Sequence, residues 1–340
     1  MIRLCFNFSQ LHYFCIMQNI PFYQEAFTSY LNAFITDKKP ENLYNPIHYI
    51  LKLGGKRLRP VLTLMTTEIF NSDYKKALDA ALSIEVFHNF SLVHDDIMDD
   101  APLRRGQKTV HEKWDINTGI LSGDAMLIQA YQLFENYESK TFQSLAKLFS
   151  KTALEVCEGQ QYDIDFETRD DVTVPEYLKM IEFKTAVLVG AAMKMGAIIA
   201  RASKDDQNKI YDFGKYLGIA FQLQDDYLDA FGDEDIFGKK KGGDIRTNKK
   251  TFLYLKALEL GSEEQRKELK SLFSTLDEDN DEKVEKVLSI FKELNIEVQT
   301  KQLMDQYYDQ AMTILEKIDL NINKKVILTN LADKLMKRAN

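Results

Sequence analysis

Proline is the residue that most restricts this chain. Its six copies fall at positions 21, 40, 46, 60, 102 and 175, so the last 165 residues contain none. Proline interrupts helix interiors and central strands alike, so its absence leaves long stretches open to regular structure, and the apolar pattern decides which kind. Few segments alternate apolar and polar residues with a period of two. Apolar positions recur instead at helical spacing, as at Leu78, Leu82 and Val86. The expected fold class is all-α. No internal repeat or long linker divides the 340 residues, and 45% apolar composition suffices for one large core, so a single domain of long helices is expected.

Charge and cysteine content narrow the function classes. A net charge of −8 gives no general basic field for nucleic acid or an anionic membrane surface. Three cysteines, Cys5, Cys15 and Cys157, are odd in number and show no metal-binding spacing, which fits a reducing, cytoplasmic setting. The first 16 residues lack a small-residue cleavage site, so a secretory signal is not expected. They are read as an N-terminal extension, with Met17 as an alternative start and the domain over 17–340. The most apolar window, residues 186–200, is interrupted by Lys194 and is shorter than the ~20 residues of a bilayer span. Its glycines and alanines point to close helix packing.

The chemistry is concentrated in FSLVHDDIMDDAPLRRG, residues 90–106. On a helix Asp95 and Asp99 share a face, and so do Asp96 and Asp100. Pro102 should end that helix near Asp100, leaving APLRRGQKT as an exposed loop. A solvated acidic helix end would explain one such cluster, but QDDYLD repeats the spacing with Asp225, Asp226 and Asp229, again after an apolar helical stretch. Partly buried carboxylates in such numbers repel one another and call for cations between them. All-oxygen donors indicate Mg²⁺ or Mn²⁺. Because Mg²⁺ takes one or two carboxylates and fills its shell with phosphate oxygens and water, the missing partner is a phosphate compound. Cations in turns agree: GGKRLRP at 54–60 and LRRG at 103–106 carry Lys56, Arg57, Arg59, Arg104 and Arg105. A third acidic run is different. Asp277, Asp279 and Asp281 have the opening spacing of a calcium loop, but Glu282 and Leu288 replace its glycine and closing glutamate, so it reads as a solvated loop.

Together, GGKRLRP, DDIMDD followed by LRRG, FKT at 183–185 and FQLQDDYLD resemble the all-trans polyprenyl diphosphate synthase family, over roughly residues 40–255. The resemblance implies a bundle of long helices around a deep central cavity, usually homodimeric. It implies that the two aspartate sets, with Lys184, form the catalytic centre, and that three Mg²⁺, for which Mn²⁺ can substitute, meet an allylic diphosphate. Direct ligation falls to Asp95, Asp96, Asp99, Asp225 and Asp229, with Asp226 in the catalytic set. Arg104, Lys184, Thr185, Gln222, Lys239 and Lys249 would contact the allylic diphosphate, and Lys56, Arg59, His88 and Arg105 would hold isopentenyl diphosphate. Lys240 is the alternative to Lys239, and Gln160 with Asp163 resembles the family's GQxxD positions.

The implied reaction is ionisation of the allylic substrate, attack by isopentenyl diphosphate and proton loss, with the departed diphosphate as base. Phe90, five residues before Asp95, with small Ser91 behind it, is read as the floor that limits chain length. The pattern resembles geranylgeranyl synthases (C20) first and farnesyl synthases (C15) second. Three alternatives fit less well. Class I terpene cyclases carry an Asn/Ser/Glu triad where this chain has DDYLD, and squalene-type synthases lack the Lys56 and Arg59 pair. A non-catalytic partner subunit need not keep both acid clusters, which here are complete.

Overall fold

A computed structural model of the protein describes residues 20–232, 241–274 and 280–336. Residues 1–16, Met17, Lys239, Lys240, Asp277 and Asp279 lie outside the described residues. What is described is all-α apart from one two-stranded hairpin. In chain order the helices are α1 (Ile20–Phe34), α2 (Glu41–Lys52), α3 (Leu58–Ile69), α4 (Leu78–Met98), α5 (Val110–Lys113), α6 (Ile116–Gln132), α7 (Ser139–Thr168), α8 (Val174–Ile181), α9 (Val187–Ile199) and α10 (Lys204–Phe231). There follow α11 (Gly243–Arg246), α12 (Phe252–Leu260), α13 (Glu263–Leu272), α14 (Asp281–Glu293), α15 (Ile296–Glu316) and α16 (Ile322–Met336). The chain forms two compact units. The first comprises residues up to 151 with 191–211 and 319–327, and the second 152–190, 212–318 and the residues from 328 on.

In the first unit α4 is the central element. Ala80, Ala81, Leu82, Ile84, Val86, Phe87, Phe90 and Val93 are all buried along it. α6 approaches its C-terminal end closely because two α6 positions have no side chain. A Cβ on Gly119 would stand 2.8 Å from Ile97 Cδ1, and one on Gly123 would stand 2.2 Å from His94 Nε2. The close packing expected of residues 186–200 is seen where α9 meets α3. A Cβ on Gly196 would lie 2.4 Å from the Thr63 carbonyl oxygen, and Thr63 Oγ1 donates to the Ala192 carbonyl at 2.9 Å.

The second unit has its own core, including Tyr177, Ile181, Leu223, Phe252, Leu253, Leu269, Val287, Phe291 and Ile296. α8 starts from a capping box in which Thr173 and Glu176 satisfy each other's backbone donors, with Pro175 in the first turn. It does not pass directly into α9. Glu182–Ala186 form a π-helical turn, in which the Val187 N–H reaches back five residues to the Glu182 carbonyl. Among the described residues no helix is long and apolar enough to cross a membrane.

The structure corrects two details of the sequence reading around the first acid cluster. α4 ends at Met98, with Asp99 as its cap. The Ala101 N–H donates to the Asp96 carbonyl at 2.9 Å and the Asp100 N–H to the Ile97 carbonyl at 3.3 Å, a Schellman closure with Asp100 left-handed at φ 49°. Asp95 and Asp99 therefore share a face, but Asp100 leaves the helix before it can pair with Asp96. The Asp96 side chain is 1% exposed and that of Asp100 97%. The following loop is a hairpin: Leu103 faces Lys108 and Arg104 faces Gln107. Its two-residue turn places Arg105 at φ 53° and Gly106 at φ 74°, the pair of positive values that a type I′ turn demands.

Candidate active site

Each acid cluster is built from its own helix and is given its character by the side chains that hold it. In the first unit, Asp96 is buried against Arg104, whose Nε lies 2.8 and 2.9 Å from the two carboxylate oxygens and whose Nη2 lies 2.6 Å from Oδ1. The same Nη2 is 3.8 Å from Asp95 Oδ2. Burial pushes the Asp96 carboxyl up from its ordinary value, and Arg104 pulls against that. Asp95 is partly buried and Asp99 exposed. Asp96 and Arg104, expected to meet metal and diphosphate respectively, are here each other's partner.

The hairpin and the Gly54–Gly55 turn assemble a second feature of this unit. Gly55 has φ 124°, and a Cβ there would stand 2.9 Å from the Arg105 guanidinium, whose Nη1 donates to the Gly54 carbonyl. Arg57 is bound to Glu85, and its Nη2 donates to the Leu51 carbonyl at 2.5 Å. Arg57 thus serves the turn itself. Arg59 Nη1 is 3.2 Å from His88 Nε2, and its buried Nε has no hydrogen-bond partner among the described residues. His88 is held well below the ordinary imidazole range by burial first, then by Arg59, Arg105, Arg104 and Arg57. Burial likewise lowers Arg59. Arg59 and Arg105, the arginines of this group not held by a carboxylate of their own among the described residues, form beside the imidazole a seat suited to an anion. Lys56 is exposed beside them.

In the second unit, Asp225, Asp226 and Asp229 lie within the continuous helix α10. Asp226 is 5% exposed. Its Oδ2 accepts the Tyr177 phenol and its Oδ1 accepts Gln222 Nε2 at 3.1 Å. Burial, then Asp244, raise its pKa well above the ordinary carboxylate value. Asp229 Oδ2 accepts the Asp244 N–H at 2.9 Å, across a turn where a Cβ on Gly243 would stand 2.9 Å from Asp229 Oδ1. In the π-helical turn, Lys184 Nζ reaches Asp163 Oδ2 at 2.5 Å, and Thr185 Oγ1 donates to Gln222 Oε1 at 3.2 Å. Gln160 is partly buried on α7, and Lys249 is exposed, its N–H donating to the Asp244 carbonyl at 2.8 Å.

The donor set fits Mg²⁺. Among the described residues no three His, Cys, Asp or Glu side chains form a ready-made metal cage. The carboxylate oxygens are hard donors of the kind Mg²⁺ takes, one or two at a time, before completing its octahedron with phosphate oxygens and water. Mg²⁺ would be held by Asp95 and Asp99 at the end of α4 and by Asp225 and Asp229 on α10.

Three residues escaped the sequence reading. Tyr177 lies 49 positions from the aspartate it binds, and no local pattern announces it. Asp244 sits in GKKKGGD, where a lone carboxylate after three lysines reads as part of a solvated charged loop. Gly159 was visible as a glycine beside Gln160 in mid-helix. A Cβ there would stand 2.2 Å from the Lys184 backbone nitrogen, so α7 meets the π-helical turn backbone to backbone.

Fold and aspartate motifs define the class: an all-α prenyltransferase. Residues 40–293 match the family model described as "Polyprenyl synthetase", and the chain belongs to that family. It is 41% identical over 225 residues to a geranylgeranyl diphosphate synthase of Methanosarcina mazei, covering 66% of this chain and 69% of that one. A geranylfarnesyl diphosphate synthase of Natronomonas pharaonis is also 41% identical, over 242 residues, with 66% of this chain and 71% of that one covered. Among solved structures, a crystal structure of a geranylgeranyl pyrophosphate synthase is 52% identical with a TM-score of 0.89, over 94% of this chain and 98% of that one.

Proposed function

We propose that the protein makes geranylgeranyl diphosphate by adding isopentenyl diphosphate to an allylic diphosphate (dimethylallyl, geranyl or farnesyl) and releasing diphosphate and a proton. The observation that carries the reading is the 52% identity to a geranylgeranyl pyrophosphate synthase over 94% of the chain. The site agrees with it. Lys56, Arg59, His88 and Arg105 receive isopentenyl diphosphate. His88, kept neutral by burial and its arginines, hydrogen-bonds while the guanidiniums supply the charge. Arg104, Lys184, Thr185, Gln222, Lys239 and Lys249 bind the allylic diphosphate. When bound, Mg²⁺ supplies Lewis-acid stabilisation of the leaving diphosphate, with three ions per site in the family pattern and Mn²⁺ as a substitute. Lys184, oriented by Asp163, adds a fixed positive charge where negative charge develops. As in the family the chain resembles, the departing diphosphate takes the proton.

Product length is set, in this reading, by Phe90. It is 8% exposed, edge-on to His94 with ring centres 4.8 Å apart and 5.5 Å from Phe87, which itself packs on Phe149. Ser91 turns its hydroxyl back to the His88 carbonyl at 2.8 Å. A ring so anchored is a firm floor, and Phe90→Ala should lengthen the product by at least one five-carbon unit; an unchanged length removes Phe90 from the role.

Assembly as a homodimer is supported by α6, where Ile116, Ile120, Leu121 and Ile128 are 41–60% exposed. Leu121→Asp should then give a monomer by sedimentation. The exposed Cys157 thiol is in keeping with a cytoplasmic setting.

The deciding experiment is incubation of purified protein with isopentenyl diphosphate, each allylic primer and Mg²⁺, followed by dephosphorylation and chromatography. A C20 alcohol is expected. A C25 product would favour the geranylfarnesyl activity named for the Natronomonas relative, and no consumption of isopentenyl diphosphate would overturn the proposal.

A further inference from the structure

Tyr177 stands out among the groups the reaction does not use. It is 2% exposed, comes from α8, and donates its phenol O–H in a hydrogen bond to the most buried carboxylate of the second acid cluster. Gln222 takes the other oxygen of Asp226 and is itself bound by Thr185. Tyr177 and Thr185 lie on either side of the start of the π-helical turn, so two points of the α8 to α9 stretch grip one turn of α10.

The physics of that grip is specific. At about 100° per residue, Asp226 is turned about 80° to the side of the middle of the face that Asp225 and Asp229 share. It is pressed by Asp244 and Asp225 and needs donors. A lysine or arginine would satisfy it but would also cancel the negative field of its neighbours, which the metal ions require. A phenol and an amide satisfy it without adding charge. With both oxygens engaged, Asp226 becomes a pin that fixes the rotation of α10 about its own axis.

We propose that Tyr177 is a positioning residue for the second acid cluster: by pinning Asp226 through a neutral hydrogen bond it sets the direction in which Asp225 and Asp229 present their carboxylates. This rests on the Mg²⁺-diphosphate reading of the site. Because the isopentenyl diphosphate seat is built from residues of the other unit, Tyr177 should affect one substrate and not the other.

The test uses the full chain with Tyr177→Phe, calorimetric titration with inorganic diphosphate in Mg²⁺, and steady-state kinetics. Expected are an approximately tenfold weaker Mg²⁺-diphosphate affinity and an approximately tenfold lower kcat, within the range seen when an outer partner of a metal ligand is lost. The KM for isopentenyl diphosphate should stay within twofold. In an Asp226→Leu background, where no acceptor is left for the phenol, the same Tyr177→Phe step should cost less than threefold, since the pin has already been removed. Binding within twofold of the parent, full additivity in the double variant, or an equal rise in KM for isopentenyl diphosphate would each overturn the role. If Tyr177→Phe does not fold, Asp226→Asn, whose carbonyl still accepts the phenol, should bind Mg²⁺-diphosphate about tenfold more tightly than Asp226→Leu; equal losses sink the proposal. Failure of the parent protein to bind Mg²⁺-diphosphate would instead strike the functional reading beneath it.

Discussion

The two acid clusters share a spelling and differ in almost everything that surrounds it. In both, the second aspartate is the buried one, Asp96 at 1% and Asp226 at 5% exposure. In both, its neighbours on either side are less buried. Yet the first cluster terminates a helix, with Asp99 as cap, whereas the second lies inside one. Asp96 is fastened by a guanidinium, Asp226 by a phenol and an amide. DDxxD thus places one carboxylate inward as an anchor and leaves two on an outer face. The partner of the anchor then decides how much negative field remains: Arg104 reduces it at the first cluster, and Tyr177 leaves it intact at the second.

The largest effect should come from removing the charged fastening. Arg104→Gln leaves a carboxylate of 1% exposure without its cation, a defect that costs about 3–5 kcal/mol when the pair is fully buried. Arg104 is 24% exposed, so the lower end, ~3 kcal/mol, is expected in urea unfolding at neutral pH. Removing the neutral donor by Tyr177→Phe should cost less, about 1–2 kcal/mol. Equal losses at the two anchors would break the contrast between charged and neutral fastening.

Gly159→Ala probes the second cluster from behind. Its new Cβ would meet the Lys184 backbone at 2.2 Å, and backbone cannot turn aside as a side chain does. Overpacking of this kind costs about 1–3 kcal/mol. It should also move Lys184 and Thr185, lowering kcat while the KM for isopentenyl diphosphate holds. A variant with parental stability and kinetics would show that the π-helical turn is not fixed by α7.

These contrasts also mark where sequence stops being informative. The aspartates were legible because helical spacing alone puts residues four apart on one face, and the all-α class because proline and period-two alternation are both scarce. Asp100 was misjudged because the same spacing rule ignores the left-handed closure that ends α4 two residues before Pro102. The hairpin was concealed by Arg105, an unusual residue at a positive φ, although Gly106 beside it was the available signal. The π-helical turn has no local signature: EFKTA is ordinary helix sequence, and it is the contact with Gly159 that accompanies its extra residue. Tyr177 and Arg104 illustrate the general limit. Spacing tells which carboxylates turn inward, but the partner is delivered by tertiary packing.

The smallest effect, and the finest test of the contrast, is in the pH dependence of stability without metal. The folded chain holds a proton on Asp226 to higher pH than the unfolded chain, because burial and Asp244 raise that carboxyl well above 3.8. Between 3.8 and the raised value the folded state binds the extra proton, so the stability it contributes is present at low pH and is lost as pH rises through that window. Asn at this position cannot titrate. Relative to the parent, Asp226→Asn should therefore gain in melting temperature as pH rises from about 4 to 8, measured in chelator to exclude divalent ions. At the first cluster Arg104 opposes the effect of burial on Asp96, so the corresponding slope should be shallower. A difference between Asp226→Asn and the parent that is flat with pH would mean that Asp226 is ionised in the folded chain, and the neutral fastening would then have to hold a full charge.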